Sequence, residues 1–247
     1  IYEYKTGKRT GTVLNGKDLV PPGQGQPLAM DDYALSSDER KVMVRTATEP
    51  LYRYSSFAFN YVYDRTNRSV KALADTALGK QRLATFSPDG SRAAFVRNNN
   101  LYTVDLATLQ ETIITTDGEW NKVINGATDW VYEEEFTLVQ GYAWSPDGAK
   151  LLYLRSDESA VKEFDMAMYQ GGLYPGEYRF KYPKAGEANS LVSLHVYDLA
   201  AKTTATVPLG TQENDIYLPR FGFTNANTVW FMRMNRVPTA TLIYTCH

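Results

Sequence analysis

One turn recurs four times along this chain, and the rest of the sequence is spaced by it. Leu35-Ser36-Ser37-Asp38, Phe86-Ser87-Pro88-Asp89-Gly90, Trp144-Ser145-Pro146-Asp147-Gly148 and Phe223-Thr224-Asn225-Ala226 are versions of a single reversal. In the middle two, an aromatic closes one strand, Pro presets φ early in the turn, and Gly takes the strained last position. A short apolar strand follows each turn: Lys41-Val42-Met43-Val44, Ala93-Ala94-Phe95-Val96, Leu151-Leu152-Tyr153-Leu154 and Val229-Trp230-Phe231-Met232. Intervals of 51, 58 and 79 residues separate Ser36, Ser87, Ser145 and Thr224. A period of about 40–50 residues with four strands per unit is the spacing of propeller blades.

The third strand of each unit is legible as well. Phe59–Asp64, Leu101–Leu106 and Leu194–Leu199 alternate apolar and polar residues, and each carries an Asp before a polar turn. An outer strand such as Glu111-Thr112-Ile113-Ile114 follows. The abundance of Tyr, 18 in 247 residues, suits half-buried pleated surfaces. The reading is therefore all-β: residues 1–247 as part of a β-propeller, with about three complete blades and partial blades flanking them. Ile1–Gly7 is expected to be the tail of an earlier blade. Closed propellers carry about 4–8 blades, so the ring is expected to be incomplete.

Composition removes several classes of function. With 43% hydrophobic and 22% charged residues the chain can bury a core, and a net charge of −2 gives no reason to expect nucleic acid or an anionic membrane as a partner. No apolar run approaches the roughly 20 residues of a membrane span. Cys246 is the sole cysteine, which rules out an internal disulfide, and the only histidines are His195 and His247. No metal site and no cofactor are expected. His195 lies in an alternating strand pattern and is read as structural. The spacing of a Gly-x-Ser-x-Gly nucleophile turn occurs at Gly7/Gly11 and Gly172/Gly176, but the middle residues are Arg9 and Tyr174. No catalytic residue is assigned.

The long intervals carry the excursions. Tyr169–Phe180, broken by Gly and Pro, reads as loop or long hairpin. Asp129-Trp130-Val131-Tyr132-Glu133-Glu134-Glu135-Phe136 sets three consecutive carboxylates among large aromatic rings. The rings gain from burial, whereas adjacent anions repel unless a cation sits between them. The run is read as a short turn with its carboxylates on one side, poised to hold a positive ligand. A primary ammonium has three N–H donors, and two carboxylates satisfy two of them. Calcium is the rival ligand, although no calcium-loop spacing is present. A solvated acidic turn is the alternative without function.

Asp129–Phe136 followed by Trp144–Gly148, together with Tyr182-Pro183-Lys184-Ala185-Gly186 and Asn189, resembles the dipeptidyl peptidase IV family of serine peptidases. The resemblance covers most of the chain and is weakest over the first 30 residues and the last ten. It implies an eight-bladed propeller joined to an α/β-hydrolase domain with a Ser-Asp-His triad, that domain being expected to lie outside this chain. It also implies release of dipeptides with Pro or Ala second from peptides with a free N-terminus, and a homodimer. Carried onto this sequence, the pair binding the α-amino group is Glu134 and Glu135, in a short recognition insertion at 129–136. Glu133 with Glu134 is the fallback pair, and Tyr132 is a further candidate. Arg53, in Tyr52-Arg53-Tyr54-Ser55, falls where the family places an arginine that contacts the glutamates and the substrate. The lack of disulfides resembles the bacterial members, which implies a periplasmic or cell-surface setting. A tripeptidyl or oligopeptidase relative, and a non-catalytic peptide-binding propeller, remain alternatives.

Overall fold

The computed structural model describes residues 1–210, 215–236 and 241–246. The first blade is an antiparallel meander of β1 (Asp32–Leu35), β2 (Lys41–Pro50), β3 (Ser56–Asp64) and β4 (Ser69–Ala72), in that order across the sheet. The second repeats it with β5 (Arg82–Phe86), β6 (Arg92–Arg97), β7 (Asn100–Asp105) and β8 (Glu111–Ile113). Next come β9 (Val123–Asn125), which pairs with Arg155–Asp157 in the third sheet, and a helix, α1 (Trp130–Phe136). The third blade has β10 (Tyr142–Trp144) and β11 (Lys150–Asp157), then a two-stranded hairpin of β12 (Glu163–Met168) and β13 (Gly176–Lys181), then β14 (Leu191–Asp198) and β15 (Thr203–Thr206). The fourth sheet comprises β16 (Ile216–Tyr217), β17 (Phe221–Asn225), β18 (Thr228–Asn235) and β19 (Thr241–Cys246), with β18 at its centre.

The two-residue period of the inner strands explains why the sheets stack. Successive side chains leave opposite faces of a strand, so each central strand feeds two interfaces. Met43 meets Ala93 and Phe95 between the first and second blades. Ala94 and Val96, on the other face of β6, meet Leu151 and Tyr153 of the third blade. Leu152 and Leu154, opposite those, meet Val229 and Phe231 of the fourth. Phe95 and Phe231 are almost wholly buried, and each such side chain stabilises the fold by about 2–3 kcal/mol.

The recurring turn has one side-chain design. Ser36, Ser87 and Ser145 each donate Oγ–H to the aspartate two residues on, at 2.7, 2.6 and 2.6 Å. Each serine Oγ then accepts the backbone N–H of Lys41, Arg92 or Lys150 as the next strand begins. Gly90 and Gly148 adopt φ of 67° and 69°, in the left-handed region that favours glycine. These turns also stitch the blades together, since Lys41 Nζ reaches Gly90 O at 3.0 Å and Lys150 Nζ reaches Ala226 O at 3.1 Å.

Ile1–Gly7 pairs back on the residues that follow it through an antiparallel bridge between Tyr2 and Arg9, with Gly7 at φ 66°. The chain beyond it covers the first blade, with Leu19, Val13, Leu14 and Leu28 packed on Val42, Val44 and Tyr61. One expectation needs correction: the acidic run is not a turn. It is α1, capped by Asp129, whose side chain accepts the Tyr132 N–H at 3.0 Å. No helix among the described residues is long and apolar enough to cross a membrane.

Candidate functional site

Helix α1 lies where the first blade, the third blade and the hairpin meet. Its lower face holds Tyr132, 1% exposed, in the core between the third and fourth blades. The Tyr132 hydroxyl accepts the Leu218 N–H at 2.8 Å, and its ring meets Phe136 and Tyr217 edge-on at 5.4 and 6.2 Å. Tyr132 therefore anchors the helix from below and presents nothing to a ligand. Asp129 is buried too, and its second oxygen accepts Ser190 Oγ–H at 2.6 Å. Burial drives the Asp129 pKa above the ordinary carboxylate range, against the pull of those two hydrogen bonds.

Consecutive residues on a helix are about 100° apart, so the three glutamates do not share a side. Glu133 points inward and has no exposed surface; its Oε1 accepts the N–H groups of Tyr54 and Ser55 at 2.6 and 2.9 Å. Glu134 is half-buried and receives Arg53 Nε at 2.8 and 3.2 Å on its two oxygens. Glu135 is exposed, and no hydrogen bond or ion pair engages it among the described residues. Arg53 is itself 64% exposed along its side chain, with only Nε engaged. The bond to Glu134 raises the Arg53 pKa further above its ordinary value.

Beside this ion pair opens a groove of about 760 Å³, lined by Arg53 and Glu134 at one side and by Trp130, Met166, Met168 and Tyr178 beyond. The hairpin shapes it. Phe180, 4% exposed, is the hub of an aromatic cluster, with Trp130 and Tyr52 at centroid distances of 5.9 and 6.2 Å. Tyr182 closes on Trp130 at 4.5 Å. Tyr178 Oη donates to Leu51 O at 2.7 Å and braces the loop that carries Arg53.

Beneath α1 lies a set of enclosed charges that sequence reasoning missed. Glu158 is pushed up to about 7, first by burial and then by the neighbouring Asp129 charge, with Lys181 and Arg82 opposing. Arg82 is 3% exposed and stacks over Phe57 at 5.7 Å. Nothing in the sequence around Arg82 or Glu158 marks them, because they meet only through the third dimension. The helix itself did leave a signal: Asp129 stands at a capping position, and Tyr132 and Phe136 are four residues apart on one face. His195 sits in β14, stacked on Tyr153 at 5.3 Å, away from this cluster.

A β-propeller with an acidic helix set against an arginine loop is the class that fold and site define. The chain matches the Dipeptidyl peptidase IV (DPP IV) N-terminal region family over residues 36–247 and belongs to that family. It is similar to dipeptidyl aminopeptidase B of Saccharomyces cerevisiae, 34% identical over 198 residues, covering 78% of this chain and 23% of the yeast protein. It is also similar to the mouse protein named prolyl endopeptidase FAP, 32% identical over 222 residues, covering 87% of this chain and 29% of the other. The crystal structure of Porphyromonas gingivalis dipeptidyl peptidase 4 superposes with a TM-score of 0.90 at 41% identity, over all of this chain and 34% of that one. The chain thus spans about a quarter to a third of the length of these relatives.

Proposed function

We propose that this propeller is the substrate-recognition part of a serine-type dipeptidyl peptidase that releases N-terminal X-Pro and X-Ala dipeptides. Glu134 and Glu135 receive the substrate's α-ammonium, and Arg53 contacts both Glu134 and the substrate backbone. Bond cleavage belongs to an α/β-hydrolase domain in the whole protein. The observation that carries this reading is the Arg53–Glu134 pair at 2.8 Å, on the rim of an open groove. A half-buried carboxylate held by an arginine has little freedom to lose when a cation binds. The fallback pair of Glu133 and Glu134 is disfavoured, because Glu133 has no surface for a ligand to reach.

The test uses the full-length enzyme. Glu134→Gln and Glu135→Gln each remove a charge and keep the shape. Hydrogen bonds to charged groups are worth about 1.5–3 kcal/mol, so kcat/KM on free-amine X-Pro substrates is expected to fall roughly tenfold to a hundredfold. N-acetylated counterparts, which lack the positive charge, are expected to be poor for the native enzyme and indifferent to both changes. Native efficiency of both variants on free-amine substrates would overturn the assignment.

A further inference from the structure

The first glutamate of the run does something the other two cannot. Glu133 is fully enclosed, yet it reaches across to the first blade and binds main chain rather than a side chain. Two consecutive N–H groups converging on one carboxylate oxygen form a strong, directional clamp. Those groups belong to Tyr54 and Ser55, which directly follow Arg53. The same loop is closed by the Leu51 N–H on Ser55 O at 2.9 Å and braced from the hairpin by Tyr178 on Leu51 O at 2.7 Å. Arg53 itself is mostly exposed and packs little, so its location depends on the loop backbone and on Glu134.

We propose that Glu133 is a positioning residue for the amine site: it clamps the Leu51–Ser55 loop so that the Arg53 guanidinium stands opposite Glu134. The inference rests on the reading that Arg53 and Glu134 meet the substrate. Adjacent positions on α1 thus divide one task, Glu133 fixing the backbone that carries the arginine and Glu134 fixing its guanidinium. An apolar side chain at 133 would leave two N–H groups without an acceptor, one of them on buried Ser55. It would also strip a negative charge from beside buried Arg82, a strand away on β5.

The experiment is a double-mutant cycle in the full-length enzyme, read as kcat and KM on a free-amine X-Pro chromogenic substrate and its N-acetylated counterpart. Glu133→Ala is expected to lower kcat/KM on the free amine roughly tenfold, mainly through KM. In an Arg53→Ala background the same change is expected to cost almost nothing further, because its route of action is gone. Glu133→Gln, which keeps an acceptor oxygen for the loop, is expected to restore most of the loss. If Glu133→Ala does not fold, Glu133→Asp replaces it, since a shorter side chain withdraws the oxygen while keeping the charge. An equal loss in both backgrounds, or no loss in either, overturns the positioning role. A native-like Arg53→Ala enzyme would instead bring down the substrate reading on which the inference rests.

Discussion

Arg53 Nε lies 2.8 Å from Glu134 Oε2, and 81 residues of chain separate the two. The arginine is on the loop between β2 and β3 of the first blade, and the glutamate is on the helix that precedes the third. The whole second blade is threaded between them in sequence. Packing of the sheets therefore brings the arginine loop to the helix, and the hydrogen bonds that hold that loop set the final distance between the two charges.

Arg53 should be sensitive to geometry as well as charge. An ammonium lacks the planar fork through which a guanidinium can engage Glu134 and a second acceptor together. In the full-length enzyme, Arg53→Ala is expected to lower kcat/KM on free-amine dipeptide substrates roughly tenfold to a hundredfold. Arg53→Lys should be milder yet still impaired. Steady-state kinetics on one substrate check the order; a lysine variant equal to the native enzyme would show that the fork is not used.

Asp129 should matter to stability more than to substrate. It caps α1 through the Tyr132 N–H and holds Ser190 with its other oxygen. Asp129→Ala removes a cap worth about 1 kcal/mol and strands a hydroxyl that is also buried, for a combined loss of roughly 2 kcal/mol. Asp129→Asn keeps a carbonyl for the cap and can pair its amide with Ser190, so its loss should be much smaller. Urea or thermal unfolding of the two variants measures the difference.

Glu158 gives the fold a pH dependence of known sign. Its pKa is raised in the folded state, from an ordinary 4.5 to about 7, so the folded protein binds the proton more tightly than the unfolded chain. Stability therefore falls as pH rises from about 4.5 to about 7, then levels off. A shift of this size corresponds to on the order of 3 kcal/mol. Glu158→Gln should flatten that decline and raise the melting temperature at pH 8. A slope between pH 4.5 and 7 unchanged in the variant would assign the effect to another group.

Much of the scaffold was legible in the residues themselves. Ser-Pro-Asp-Gly turns and two-residue alternation are local devices: Ser87 bonds Asp89 two positions on, and Ala93 and Ala94 point to opposite faces whatever lies beside them. Such features give blade count and strand order because their partners are nearby in the chain. The acidic run was legible as a cluster of charge among rings, and even the cap at Asp129 was present to be read.

What each carboxylate faces was decided only by tertiary structure. Glu133, Glu134 and Glu135 are identical in type and adjacent in sequence, yet one is sealed on main chain, one is paired and one is open to solvent. Their separation comes from the 100° step of a helix together with the surfaces that happen to surround it. Those surfaces come from Ser55, Arg82 and Phe180, which lie tens of residues away and carry no local mark of their destination. Periodicity can assign a side chain to a face of its own element; what stands opposite that face depends on how the blades pack.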